Sequence, residues 1–334
     1  MTCVTPRVRW SEAMATALYG PAGFFVRSRP GDHFRTSVHA SPAFAGAVLR
    51  LLNTVDEALG RPARLDVVDV GAGRGELLVA LDALAPAGMR ERLALTAVEV
   101  APRPSSLPPS MRWVRDVPAD VVGLLIATEW LDNVPVDVVV DDRYVAVSVD
   151  GAEAVDGPVD DADRAWLDAW WPAGPRREIG RARDIAWAGA VASVSRGLAV
   201  AVDYGHVAGA RPVDGSLTGF RAGRQVAPVP DGSCDLTAHV AMDAVAAAPG
   251  LPYRLISQRE ALRALGVDGA RPPLAMASDD PAGYVRALSR ASAAAELTDP
   301  VGLSGHWWLL QPVGLDLQSV TRWTGSPVTR EIAS

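Results

Sequence analysis

The chain has 334 residues, 49% of them hydrophobic and 21% charged, which allows one elaborated domain or two with a sizeable core. A net charge of −7 argues against a nucleic-acid-binding surface, which needs a basic stripe. Cys3 and Cys234 are too few for a disulfide framework or a zinc site, no apolar run reaches the length of a membrane span, and a signal-peptide core is missing at the N-terminus. The expectation is therefore a cytoplasmic protein with no membrane partner. All 32 basic positions are arginine, so a lone arginine carries little functional weight.

Ser11 to Leu18 reads as a short helix, stopped by Tyr19-Gly20-Pro21-Ala22-Gly23, and Phe24 to Thr36 as an ordered loop. Ser41-Pro42 opens a second helix, serine as cap and proline in the first turn, whose apolar face runs through Phe44, Val48, Leu49 and Leu52. Leu65 to Val70 is the first core strand, and a helix after the next glycines runs to about Leu84. Leu93 to Val98 is a second strand ending at Glu99, and Val121 to Ala127 is a fully apolar run typical of a buried parallel strand. Val136 to Val149 reads as a hairpin around Asp141-Asp142-Arg143.

Beyond it, residues 150–180 form an acidic insertion whose Trp166, Trp170 and Trp171 fall at spacing for one helix face, a candidate partner surface. Ala182 to Ser195 is helical, Leu198 to Val202 is another buried strand, and 206–234, dense in glycine and proline, is a long loop. Asp235 to Ala248 reads as helix and Trp307 to Gln311 as a terminal strand. Strands alternating with helices predict an α/β fold, a mainly parallel sheet covered on both faces. Four stretches follow: an N-terminal cap (1–62), a nucleotide-binding core (63–149), the insertion (150–181), and the rest of the core (182–334) with a substrate-side loop at 206–234.

The turn after the first strand, Asp69-Val70-Gly71-Ala72-Gly73-Arg74-Gly75-Glu76, indicates the ligand class. A dinucleotide fingerprint needs a glycine where Glu76 stands, and a carboxylate there faces a pyrophosphate with the wrong sign. G-x-G-x-G suits a ligand without phosphate, such as S-adenosylmethionine (SAM). Ligands of such sheets bind beyond the carboxyl ends of the strands. Gly71–Glu76, Glu99, Thr128–Asp132 and Asp203–Gly205 all fall at such ends, which predicts one shared site.

Taken in order, further blocks resemble the MidA family of SAM-dependent methyltransferases over nearly the whole chain. They are Tyr19-Gly20-Pro21-Ala22-Gly23-Phe24-Phe25, Gly31-Asp32-His33-Phe34-Arg35-Thr36-Ser37, Ser41-Pro42-Ala43-Phe44, the glycine turn, Thr128-Glu129-Trp130-Leu131-Asp132-Asn133-Val134-Pro135, Asp203-Tyr204-Gly205, Gly215 to Arg221 and Asp235 to Val240. This chain departs from the family pattern in having Asp69 for glutamate, Thr128 for asparagine, and no histidine near Gly223. The resemblance implies a Rossmann-like class I SAM-dependent methyltransferase sheet with helices on both faces, plus N-terminal and inserted elements. It also implies arginine methylation of a protein substrate, with a small-molecule acceptor or a non-catalytic assembly factor as alternatives.

Expected cofactor contacts are Asp69 to the ammonium group, backbone at Gly71, Ala72, Gly73 and Gly75, Glu99 to the ribose hydroxyls, Asp116 beside the adenine, and Thr36 and Ser37. Glu129 and Asp132, three apart, are expected to aim the same way off a helical turn and hold a cationic acceptor. Asp203 adds a third acid to that rim, and Tyr204 walls the pocket. The histidines show no metal-ligand spacing, and no metal is expected.

Overall fold

The computed structural model describes residues 6–27, 42–267, 269–299 and 305–324. Its main sheet is built from β1 (Leu65–Val70), β2 (Leu93–Val98), β3 (Arg112–Val114), β4 (Val121–Thr128), β5 (Val194–His206), β6 (Arg254–Ser257) and β7 (His306–Val313), in the order β6-β7-β5-β4-β1-β2-β3. Strands β1 to β5 pair in parallel, while β7 runs antiparallel to both β5 and β6. The short strand Val240–Ala241 extends the far end of β5.

The parallel strands are largely apolar, β4 without a break from Val121 to Ala127, because both faces are covered. One face carries Val67, Leu95, Leu124 and Ile126 against Phe44, Val48 and Leu52 of α1 (Pro42–Ala58) and Leu77, Leu78 and Leu81 of α2 (Glu76–Leu84). The other carries Val68, Leu125 and Ala199 against Trp187 and Val191 of α3 (Arg181–Ala192) and Met242 and Val245 of α4 (Met242–Ala247). The chain leaves β1 outward to β2 and β3, then returns to lay β4 on the other side of β1. That reversal opens a crevice at the carboxyl ends of β1 and β4.

A second, antiparallel sheet joins Arg7–Arg9, Asp137–Val140, Arg143–Ser148, Glu153–Pro158 and Arg176–Ile179. The expected hairpin is present, turning on Asp141 and Asp142 with φ of 49° and 57°, the left-handed pair that a two-residue hairpin demands. The acidic stretch after it supplies two strands of this sheet and the helix Asp161–Trp170, capped by the Asp160 carboxylate. Trp166 and Trp171 are buried against Val139, Tyr144, Val159 and Ile179. The tryptophan spacing therefore marks a core, not a partner surface.

Other expectations also need correction. Phe24–Arg27 is a helical turn rather than loop. Asp235 to Ala248 is not one helix: Asp235–Thr237 and Val240–Ala241 are strands, and only α4 is helical. An apolar stretch that pairs with a β-rich neighbour is not separable from a helix by periodicity alone. The long loop contains the hairpin Thr218–Arg221 and Arg224–Val226, which pairs with Asp235–Thr237. The expected cap Ser41 lies outside the described residues. Among the described residues no helix is long and apolar enough to cross a membrane.

Candidate functional site

The crevice is a cavity of about 820 Å³. Asp69, Gly71, Ala72, Gly73, Arg74 and Glu76 form one wall, Val98 to Ala101 with Asp116 a second, and Thr128 to Trp130 with Asn133 a third. Tyr19 and Phe25, stacked at 5.6 Å, close it from the N-terminal segment.

The glycine turn is shaped by close approach. Gly71 has φ +71° and a Cβ there would meet the Trp130 indole at 3.1 Å; Gly75 has φ +82° and a Cβ would meet Leu107 at 2.7 Å. A side chain at either position would be strained by the positive φ and would have to displace that neighbour. The Gly71 N–H donates to the Val98 carbonyl (3.0 Å) and the Gly73 N–H to the Glu99 carboxylate (3.0 Å), which locks the turn to the end of β2. Glu76 opens α2, and its carboxylate accepts the Arg74 N–H (2.9 Å), so the helix N-terminus is already occupied by an acid.

Asp69, 4% exposed, sits at the floor. Burial, with Glu76 and Glu99 close by, pushes its carboxyl up to about 8, a setting that favours a cationic neighbour. The Glu99 carboxylate also accepts the N–H groups of Val100 (2.7 Å) and Ala101 (3.0 Å). Its carboxyl is raised by burial despite these bonds.

Past β4 the chain turns sharply: Glu129 is left-handed at φ 51°, followed by a 3-10 turn at Leu131–Asn133. This break before the turn separates the two acids expected to act together. Glu129 lines the cavity, whereas Asp132 turns inward and accepts the Thr237 hydroxyl at 2.7 Å. Asp203, 1% exposed, accepts the consecutive N–H groups of Trp130, Leu131 and Asp132 on one oxygen. Arg183, also 1% exposed, donates to the carbonyls of Asp132, Val134, Ala238 and His239. The Asn133 amide bonds Asp235 and the Leu236 carbonyl. Burial raises the carboxyls of Asp203, Asp235 and Asp132, the last to about 6. Asp132 Oδ1, Asp203 Oδ1 and Thr128 Oγ1 have no hydrogen-bond partner among the described residues.

Of the residues expected at the site, Asp69, Gly71, Ala72, Gly73, Glu99, Asp116 and Glu129 line this cavity. Gly75 shapes the turn beneath it, while Asp132, Asp203 and Tyr204 stand behind its wall. Thr36 and Ser37 lie outside the described residues. Sequence reasoning missed Arg183 and His306. Arg183 is hidden among arginines that mark composition alone, and His306 stands alone in sequence, far from the Glu129 it contacts at 3.2 Å. Among the described residues no cluster of His, Cys, Asp and Glu could hold a metal ion.

Residues 49–251 match the family model described as "Putative S-adenosyl-L-methionine-dependent methyltransferase". The chain is similar to a COG1565 superfamily member from Burkholderia thailandensis whose crystal structure holds S-adenosyl-homocysteine. The identity is 23%, covering 93% of this chain and 89% of that one, with a TM-score of 0.77. A native structure of a COG1565 superfamily protein from the same organism is 24% identical, covering 93% and 88%, with a TM-score of 0.75. No curated protein matches the sequence.

Proposed function

Because this chain belongs to the S-adenosyl-L-methionine-dependent methyltransferase family matched over residues 49–251, we propose that it transfers the methyl group of SAM to an arginine nitrogen of a protein, as a MidA-type enzyme. The strand order, with five parallel strands and an antiparallel β7 inserted beside β5, supports reading the sheet as Rossmann-like class I. The residues present fit the cofactor. Gly71 and Gly73 line the cavity with positive φ and no side chain, Asp69 calls for a cationic partner, and one relative of the same fold holds S-adenosyl-homocysteine.

In this reading Gly71 to Gly73 present backbone to the amino-acid end, Asp69 faces its ammonium, Glu99 takes the ribose hydroxyls and Asp116 flanks the base. Thr36 and Ser37 belong to the same set. SAM, when bound, supplies an electrophilic methyl on a sulfonium. The acceptor nitrogen would form its bond to that carbon as the carbon–sulfur bond breaks, leaving the neutral thioether S-adenosyl-homocysteine, and the nitrogen would give up one proton to solvent. The protein's task is alignment. The observation that carries the acceptor assignment is the lining of the cavity, in which the Glu129 carboxylate occurs together with the aromatic rings of Tyr19, Phe25 and Trp130. A cavity with both a carboxylate and aromatic rings in its wall suits a planar cation. Asp132 adds negative field from behind, Asp203 holds the Trp130–Asp132 backbone, and Tyr204 buttresses the wall.

The test is incubation with methyl-tritiated SAM and a lysate of cells lacking the protein. A labelled protein band whose hydrolysate contains methyl-arginine is expected. Label confined to an organic-soluble small molecule overturns the protein acceptor, and SAM binding with no transfer at all favours a non-catalytic role.

A further inference from the structure

We infer that Arg74 takes the carboxylate of the cofactor's amino-acid end through its guanidinium, while Asp69 on the same wall takes the ammonium. This rests on SAM as the cofactor of the site.

The amino-acid end of SAM is a zwitterion, so a partner for its ammonium leaves the negative end unanswered. A glycine turn can offer backbone N–H groups to an anion. Here they are spent on the protein itself. The N–H groups of Gly71 and Ala72 both donate to the Val98 carbonyl (3.0 and 3.3 Å), and that of Gly75 to the Ala72 carbonyl (2.8 Å). Those of Gly73 and Arg74 donate to the carboxylates of Glu99 (3.0 Å) and Glu76 (2.9 Å). On the third wall, the Glu129 N–H donates to the Val202 carbonyl (2.8 Å) and the Trp130 N–H to Asp203 (3.2 Å).

A carboxylate also enters against Glu76, Glu99, Asp116 and Glu129, so a cation must offset them. Among the described residues only Arg74 and Arg115 supply one in the lining. Arg115 belongs with Asp116, the residue read as flanking the base. Arg74 belongs to the turn itself, which carries the amino-acid end in this reading. Its side chain is exposed, and its guanidinium has no hydrogen-bond or ion-pair partner among the described residues. That planar fork can meet both carboxylate oxygens. In a chain whose basic residues are all arginine, the position and not the residue type marks it out.

The experiment measures, by calorimetry, the Kd of SAM and of decarboxylated SAM, which keeps the sulfonium and the ammonium and lacks only the carboxylate. The proteins are wild type, Arg74→Ala, Arg74→Gln, Arg74→Lys and Arg115→Ala. Arg74→Ala should weaken SAM roughly 10-fold, the scale of a charge-assisted pair still open to water, and leave the decarboxylated ligand no weaker. Lysine, a cation without the fork, should recover part of the SAM affinity. Arg115→Ala should leave the ratio of the two affinities at its wild-type value. Because the Arg74 guanidinium engages no described neighbour, its variants should melt with the wild type. Unchanged SAM affinity in Arg74→Ala, equal loss for the two ligands, or a ratio that falls in Arg115→Ala instead overturns the assignment. If alanine disturbs the fold, the neutral but longer Arg74→Gln must show the same ligand-selective loss. Wild-type protein that binds neither ligand overturns the cofactor reading instead.

Discussion

Asp69 is the residue whose chemistry is most exposed to measurement. A carboxyl held up near 8 is largely protonated at neutral pH. Pairing it with the ammonium of SAM requires the proton to leave. Binding at pH 7 should therefore release close to one proton, seen as a dependence of calorimetric enthalpy on the ionisation enthalpy of the buffer. Asp69→Asn should abolish that dependence, and wild-type affinity should weaken by up to about tenfold per unit as pH falls below 8. The same sign governs the ligand-free protein. Acids with raised folded pKa bind more protons folded than unfolded, so their contribution is complete below about pH 4. It is lost as pH rises to about 6 for Asp132 and about 8 for Asp69. The melting temperature of the free protein should fall between pH 5 and pH 8. A flat or rising profile contradicts these assignments.

At the scale of elements, the segment Glu129 to Pro135 is not a helix that caps itself. It is held by β5 through the Asp203 carboxylate, by α3 through Arg183 and by the Asp235–Thr237 strand through Asn133 and Asp132. Asp203→Ala strips a shared acceptor from three consecutive N–H groups, two of them on buried residues. Denaturant unfolding should register a loss of about 2–4 kcal/mol, the scale of leaving buried donors unsatisfied. Protein that remains folded should still bind S-adenosyl-homocysteine, because the glycine turn draws its bonds from β2 and not from β5. Equal loss of cofactor affinity contradicts this division.

The same division explains what the sequence disclosed. The glycine turn and Glu99 were legible because strand, turn and helix follow one another within about thirty-five residues, and the geometry there is a backbone property that glycine announces. The ends of β1, β2 and β4 were correctly located by their apolar runs, whereas β5, expected to stop at Val202, runs on through Asp203 to His206. The arrangement of Glu129, Asp132 and Asp203 was not legible. A left-handed residue at Glu129 breaks the three-residue spacing that suggests a shared aim, and no local signal announces it. His306 and Arg183 escaped for a related reason: their partners lie 177 and about fifty residues away, and such contacts leave no trace in periodicity. Asp235 to Ala248 misled because its apolar positions serve strand pairing first and helix packing second.

For the whole molecule, the balance of charge around the cavity bears on how one round gives way to the next. Among the described residues Glu76, Glu99, Asp116 and Glu129 face it, with Asp69 largely protonated until a cation pairs with it, against Arg74 and Arg115, so the balance of charge there is negative. SAM enters with a positive sulfur, and S-adenosyl-homocysteine, identical elsewhere apart from the methyl, leaves with a neutral one. In the proposed reaction the negative cavity therefore holds the spent cofactor less strongly than fresh SAM, a difference that favours exchange. Added salt screens the extra positive charge that SAM carries on sulfur. Raising the ionic strength should thus narrow the preference for SAM over S-adenosyl-homocysteine and deepen product inhibition, and a salt-independent Kd ratio would show that exchange is driven by something other than charge.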